Sequence, residues 1–267
     1  MFISCTSKTP EGKGDSHMTA LVTGASSGIG RDIARELCRY GIKVIITGRD
    51  IERLSSLKKE LGSGVKAVIR ADLSDRKQCF RLYEKVKAYN VDIFINNAGF
   101  GTFGEFSETD LDTEIDMIDV NITAVHILTK LFLRDFNARE RGYILNVAST
   151  AAFLPGPLMA AYYATKAYVL RLTQAIQEEL RRDGSAVYVG AFCPGPVTSD
   201  FDRRAGIAHS RKLLSSKAAA KSAVKYMFVR KPVIVPSFIM SAASVVIRAL
   251  PDSVAAKAAY SFQSLKK

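Results

Sequence analysis

The stretch Thr19-Ala-Leu-Val-Thr-Gly-Ala-Ser-Ser-Gly-Ile-Gly30 decides the fold. Thr19 to Val22 is a short apolar run of strand type, followed by a turn carrying Gly24, Gly28 and Gly30 and then by a helical pattern. Ile29, Ile33 and Leu37 recur every four residues with Ala34 and Cys38 beside them, and Gly41 supplies a stop. Glycine lets the backbone turn sharply and approach a pyrophosphate, and the free N–H groups and dipole at a helix start favour its negative charge. Strand, turn and helix in this order predict a dinucleotide site whose cofactor-binding turn holds Gly24, Ser26, Ser27, Gly28, Ile29 and Gly30. The spacing is TGxxxGxG rather than GxGxxG.

The next strand, Lys43 to Thr47, ends in Gly48-Arg49, about where an NAD site carries a ribose-binding acid. Glycine cannot accept from a 2′-hydroxyl, whereas the planar fork of arginine can hold a 2′-phosphate. The turn itself has no basic residue, which leaves Arg49 as the main phosphate clamp and favours NADP(H) over NAD(H). The competing reading makes Asp50 the ribose acid and Arg49 a solvated surface charge.

Tyr162 and Lys166 stand four residues apart, a spacing that puts them on one helix face. A free tyrosine titrates near pH ~10, and a neighbouring cation stabilises phenolate, so Lys166 is expected to pull the Tyr162 pKa towards neutrality. A fall of about three units requires roughly 4 kcal/mol of differential stabilisation. Tyr162 then becomes a general acid and base. Tyr163 fails the spacing, because position 167 is alanine.

At 267 residues and 48% hydrophobic content the chain can bury a substantial core within one domain. Apolar runs at Val91 to Ile95, Tyr143 to Val147 and Val187 to Ala191 alternate with helical stretches. That alternation predicts an α/β fold, a doubly wound parallel sheet of Rossmann type with helices on both faces. The domain is expected over 18–236, preceded by a disordered extension at 1–17 and followed by a helical tail at 237–267 packed on or beside it.

With these motifs in view, the chain resembles the short-chain dehydrogenase/reductase family from about Met18 to Val235. Further segments match in order: Ala71-Asp72-Leu73-Ser74, Asn96-Asn97-Ala98-Gly99, Val120-Asn121, Ser149, and Cys193-Pro194-Gly195-Pro196-Val197. Ser149 precedes Tyr162 by thirteen residues, the family's usual gap. The resemblance implies a catalytic tetrad of Asn121, Ser149, Tyr162 and Lys166. Ser149 would hold the substrate oxygen while Tyr162 exchanges a proton with it, Lys166 would hold the ribose hydroxyls, and Asn121 would position a water linking the lysine to solvent. It also implies that Asp72 and Leu73 meet the adenine, that Asn97, Ala98 and Gly99 line its ribose, and that Pro194, Gly195 and Val197 close over the nicotinamide. Thr198 and Ser199 compete for the carboxamide contact.

Phe100, Phe103, Phe153, Leu154, Leu158 and Met159 make the loops between these residues apolar, favouring a small to medium apolar carbonyl or alcohol over a sugar. Asp202 to Leu214 is read as a mobile cover, and Ser215 as the cap of a helix with an inward Ala219, Ala223, Met227 stripe. A homodimer or homotetramer is implied, with Val125, Leu128 and Phe132, and Val169, Leu172 and Ile176, offering apolar surface.

Of the net charge of +12, nearly all lies from Asp202 onward, where thirteen basic residues face two acidic ones. No recognition motif or basic and aromatic interleaving accompanies it, so nucleic acid is not the expected partner. Lys231 to Pro236 is read as the final strand. Val233 to Leu250 is long enough to suggest a membrane span, but Pro236 and Arg248 interrupt it. The segment after the strand, with Phe238, Ala242, Val245 and Ala249 at helical spacing, reads as a packed or interfacial helix. With Lys257, Lys266 and Lys267 it leaves peripheral membrane contact open. Four cysteines without paired spacing fit a reduced cytoplasmic protein, and scattered histidines at 17, 126 and 209 give no metal site. The leading reading is an NADPH-dependent reductase. Its competitors are a membrane-surface reductase of lipid or steroid-like substrates and a low-turnover nucleotide-binding sensor or scaffold.

Overall fold

Parallel neighbours need crossovers of helical length, and this chain supplies one after nearly every strand. The computed structural model describes residues 18–198, 201, 205–207, 214–237, 240–242, 246–247 and 250–265. In chain order these form β1 (Thr19–Thr23), α1 (Gly28–Arg39), β2 (Lys43–Gly48), α2 (Ile51–Leu61), β3 (Val65–Arg70), α3 (Arg76–Lys87) and β4 (Ile93–Asn96). Then follow α4 (Leu111–Ile118), a π-helical turn (Asp119–Ala124), α5 (Val125–Ala138), β5 (Tyr143–Val147), α6 (Ala160–Arg182) and β6 (Tyr188–Phe192). The last elements are β7 (Val197–Thr198), β8 (Leu214–Ser215), α7 (Ser216–Phe228), β9 (Val233–Ile234) and α8 (Asp252–Ser264). Seven strands form one parallel sheet in the order β3-β2-β1-β4-β5-β6-β9, while β7 and β8 pair separately. The order reverses between β1 and β4, so a crevice opens beyond their carboxyl ends.

Side chains alternate across the sheet and fill two cores. Ala20, Val22, Val44, Ile46, Ile93 and Ile95 meet α1, α2 and α7 on one face. Leu21, Ile45, Phe94 and Ile144 meet α3, α5 and α6 on the other. There Phe132 stacks on Phe94 at 4.3 Å and meets the edge of Tyr83 at 5.4 Å. Burying each such side chain contributes about 2 kcal/mol. Gly41, at φ +80°, ends α1, its N–H reaching Cys38 O at 3.0 Å while Ile42 N reaches Leu37 O at 3.1 Å. Ser215 caps α7 by accepting from Ala218 N, and Ala219, Ala223 and Met227 are fully buried.

Several expectations are corrected. The fourth strand begins at Ile93, not Val91, because Asp92 turns its carboxylate onto Thr19 N at 3.0 Å. The sixth strand runs from Tyr188, one residue later than read from the apolar run. Val125, Leu128, Phe132, Val169 and Ile176 are buried within the chain itself and cannot serve as an association face. Their spacing marks the stripe that α5 and α6 turn towards their own sheet. The final strand read at Lys231 to Pro236 is present in its centre, Val233–Ile234. No helix among the described residues is long and apolar enough to cross a membrane. The extension at 1–17, most of the cover, Ser199, Phe238, Val245 and Ala249 lie outside the described residues.

Candidate functional site

A cavity of about 840 Å³ occupies the crevice. At one end it is backbone. Gly24 and Gly28 take φ +64° and +55°, left-handed values that glycine adopts without a Cβ penalty. A Cβ on Gly24 would lie 2.9 Å from Ala98 Cα, and one on Gly30 would lie 2.5 Å from Gly24 O. The first turn of α1 has no side-chain cap, so its N–H groups face the cavity unclaimed by Ser27. Thr23 ties the turn to the end of β4: its hydroxyl accepts from Asn97 N at 2.8 Å and Ala98 N at 3.0 Å, and Asn97 Nδ2 returns to Thr23 O at 2.8 Å. Sequence reading did not assign Thr23, although a hydroxyl residue at a strand end was the available signal.

Ser26, Ser27, Ile29, Arg49, Asp72 and Leu73 line this end, with Asn97, Ala98 and Gly99. Arg49 is exposed, and no hydrogen bond or ion pair engages its guanidinium among the described residues. Asp50, the alternative ribose acid, is already used. It caps α2 by accepting from Arg53 N at 2.9 Å and pairs with Arg53 Nε at 3.2 Å. Asp72 Oδ1 accepts from Ser74 N at 3.1 Å and Ser74 Oγ at 3.0 Å.

At mid-cavity, β5 delivers Ser149 and α6 delivers Tyr162 and Lys166. Ser149 lies close enough to Tyr162 to favour its phenolate. Ser149 Oγ also meets Pro194 O at 3.4 Å and accepts from Ala151 N at 3.1 Å. Lys166, 5% exposed, donates to Val147 O at 3.0 Å. Pro194, Gly195 and Val197 line the same region.

Electrostatically, the pair behaves opposite to expectation. Burial pushes the Tyr162 phenol above its ordinary pKa, opposed only by the nearby Ser149 hydroxyl. Burial likewise lowers Lys166 to about 8. The ammonium sits 5.8 Å from the Tyr162 ring centroid and is turned onto a carbonyl, so desolvation of the phenol outweighs its charge.

Asn121 stands apart from the other three. It is fully buried behind Gly99 in the π-helical turn and does not line the cavity. Its amide exchanges hydrogen bonds with Phe100 N at 3.1 Å and Phe100 O at 2.9 Å, and donates to Thr165 Oγ1 at 3.0 Å. Through these bonds the side chain holds the Phe100 loop.

Beyond Tyr162 the wall is apolar. Phe100, Phe153, Leu154 and Met159 line it as expected, whereas Leu158 and Phe103 do not. Phe103 packs instead beside Met159 and Ile207, and Leu158 is buried at φ +65° with its carbonyl accepting from Gly104 N. Phe201 stands 5.1 Å from the Tyr162 ring between centroids. The tail closes this end. Met240, Ile247 and Leu250, then Ala255, Ala258, Ala259, Phe262 and Gln263 of α8, line the cavity, and Gln263 hydrogen-bonds Tyr163. None of these tail residues, nor Tyr163, was read from sequence as part of the site. His126 lies away from the cavity, its Nδ1 2.7 Å from Tyr168 Oη on the neighbouring helix. Among the described residues no group of three or more His, Cys, Asp or Glu is placed to hold a metal.

Residues 18–209 match the family model described as short chain dehydrogenase. An uncharacterized oxidoreductase of Staphylococcus saprophyticus is 35% identical over 214 residues, covering 77% of this chain and 88% of that protein. The 17-beta-hydroxysteroid dehydrogenase type 3 of Mus musculus is 33% identical over 177 residues, covering 64% of this chain and 57% of that protein. A short-chain dehydrogenase from Sphingobium yanoikuyae in complex with NADPH has a TM-score of 0.80 at 30% identity, covering 87% of this chain and 92% of that one.

Proposed function

This chain belongs to the short-chain dehydrogenase/reductase family and is an NAD(P)-dependent oxidoreductase acting on CH–OH groups, and from that premise we propose that it reduces an apolar carbonyl with NADPH. Alcohol oxidation runs through the same residues in reverse. The observation that carries the reading is that Ser149, Tyr162 and Lys166 line one cavity with the glycine turn.

The turn fits a dinucleotide. Any Cβ at Gly24 or Gly30 would intrude on backbone, and the uncapped start of α1 suits a pyrophosphate. When bound, the nicotinamide supplies the hydride chemistry. Ser149 and Tyr162 hold the substrate oxygen, and Tyr162 gives it a proton. Its raised pKa keeps the phenol protonated through the neutral range, so it starts as a donor, which suits reduction. Lys166 keeps two of its three N–H donors after the bond to Val147 O and offers them to ribose hydroxyls. Asn121 acts by positioning Phe100.

Two observations support NADP(H) over NAD(H). Arg49 presents an unengaged fork, and the Asp50 carboxylate is already committed to α2. The NADPH complex of the Sphingobium yanoikuyae relative is consistent with this preference. Phe100, Phe153, Leu154 and Met159 support a small to medium apolar substrate, as does likeness to a hydroxysteroid dehydrogenase. Cys38, Cys79 and Cys193 as thiols fit a reducing, cytoplasmic setting. For self-association, exposed Leu111, Ile115 and Ile118 on α4 replace the buried residues read from sequence.

Loss of reduced-nicotinamide absorbance with NADPH and a carbonyl panel tests the reading. Tyr162→Phe should lower kcat by about a thousandfold while NADPH binding is retained. Undiminished turnover in that variant rejects Tyr162 as the donor.

A second reading, contact with a membrane surface, is favoured by exposed Val246, Leu250, Val254, Phe262 and Leu265 in the tail. Co-sedimentation with acidic liposomes should fall in Val254→Asp/Leu265→Asp. Equal binding by variant and parent removes this role.

A further inference from the structure

The substrate end of the cavity carries a polar pair that the carbonyl chemistry does not use. Tyr163 follows Tyr162 on α6, so the two side chains diverge by about 100°. Their ring centroids are 6.1 Å apart and their planes nearly perpendicular, at 77°. Tyr163 is hydrogen-bonded to Gln263 Nε2, which arrives on α8 from a hundred residues downstream. Gln263 is fully buried, and it lines the cavity together with the alanines of the same helix.

A terminal amide offers donors and an acceptor. Tyr163 engages one side. The other, Gln263 Oε1, is buried and has no hydrogen-bond partner among the described residues. Such an acceptor carries an uncompensated desolvation penalty, which an apolar side chain at 263 would avoid. Receiving the Gln263 N–H also leaves the Tyr163 hydroxyl its own proton to donate. The pair therefore presents one acceptor and one donor, and a hydroxyl group can satisfy both. Tyr163 is also fixed in place: its ring lies against Gly156, where an added Cβ would come within 2.2 Å of Cγ and Cδ1. A rigid aromatic donor beside a buried orphan acceptor has the form of a recognition site, not of filler packing.

We infer that Tyr163 and Gln263 form a second subsite that anchors a hydroxyl on the part of the substrate remote from its reacting carbonyl. The substrate class is then a hydroxylated apolar ketone. This rests on the reading in which Ser149 and Tyr162 hold the carbonyl oxygen, and it adds a specificity pair to that site.

Two matched pairs of probes test it: phenylcyclohexanone against its para-hydroxyphenyl counterpart, and acetylbiphenyl against its para′-hydroxy derivative. Dissociation constants are measured by calorimetry on the full chain with saturating NADP⁺, which holds the ketones unreacted. The hydroxylated member of at least one pair should bind the parent protein about tenfold more tightly. Gln263→Leu and, independently, Tyr163→Phe should shrink that advantage to below about threefold without weakening the deoxy member. Equal affinities within both pairs, no binding by any probe, or an advantage that survives both substitutions overturns the inference. NADPH oxidation with the same ketones separates it from the reading beneath. Turnover without hydroxyl preference rejects the subsite alone, whereas hydroxyl-selective binding without turnover by any ketone rejects the reductase.

Discussion

At the glycine turn the cavity wall is main chain: Gly24 and Gly30 press against Ala98 and against each other, and Thr23 and Asn97 stitch the ends of β1 and β4 together. At the opposite end the wall is side chain: Met159, Phe201 and Phe153 face Ala259, Phe262 and Gln263 of a helix that reaches the site from the tail. The first end is assembled from neighbouring strand ends and tolerates no added atom. The second is assembled from side chains and, at Met240, yields to one. Rigid backbone suits a ligand of fixed shape, whereas adaptable side chains let a common framework admit different molecules.

Two glycines, Gly30 against main chain and Gly195 against the tail's Met240 side chain, put this contrast at risk. Gly30→Ala should have the largest effect, because its Cβ would meet the carbonyl of Gly24 and the Asn97 amide, neither free to withdraw. A loss of about 3 kcal/mol in urea unfolding is expected, together with loss of the rise in Tm that NADPH confers on the parent. Lys166, where the two ends meet, comes next. Its folded pKa of about 8 lies below the ordinary 10.5. Below pH ~8 both states hold the proton, and burying the charge is a constant cost; between about 8 and 10.5 the unfolded chain holds more protons, so stability rises with pH. Tyr162, shifted upward, works in the opposite direction only above pH ~10, where the unfolded phenol ionises first. From pH 8 to 10 the parent should therefore gain on the order of 2 kcal/mol relative to Lys166→Met. A flat difference would mean that the ammonium is compensated where it lies.

Arg49→Leu should follow, cutting the ratio of NADPH to NADH affinity about tenfold, near 1.4 kcal/mol, in thermal-shift titrations. An unchanged ratio would return the cofactor choice to another group. Gly195→Ala should matter least. Its Cβ would overlap only Met240 Cε and Sδ, the mobile end of a thioether, so less than about 1 kcal/mol is expected. Equal losses at Gly30 and Gly195 would erase the distinction between the two ends.

Legibility in the sequence follows the same division. The strand, the turn and α1 could be read because a left-handed residue, a helix stop and a four-residue apolar repeat are local properties of a few neighbours. Ser149, Tyr162 and Lys166 meet in the cavity because the spacing along α6 and the length of the β5 loop set their separation. The shift of Tyr162 could not be read, since its sign depends on how burial weighs against the distance to the ammonium. The stripe at Leu128 and Phe132 announced a buried face but not what covers it. Gln263 could not be assigned at all. Its partner lies a hundred residues away, and a glutamine between Phe262 and Ser264 carries no signal until the two helices are brought together.

The wide turn at Asp119–Ala124 sets the tolerance of the rod formed by α4 and α5 to changes in length. A regular helix advances about 100° per residue, so an insertion elsewhere along that rod would swing Phe132 and Phe136 out from under the sheet. A π-type turn takes up a surplus residue within one coil. Losing a residue there would tighten the coil and spare the aromatic cluster, while uncoupling Asn121 from Phe100. Indels at this point should thus leave a folded protein with a displaced loop, whereas the same change a few residues later should leave no fold to assay.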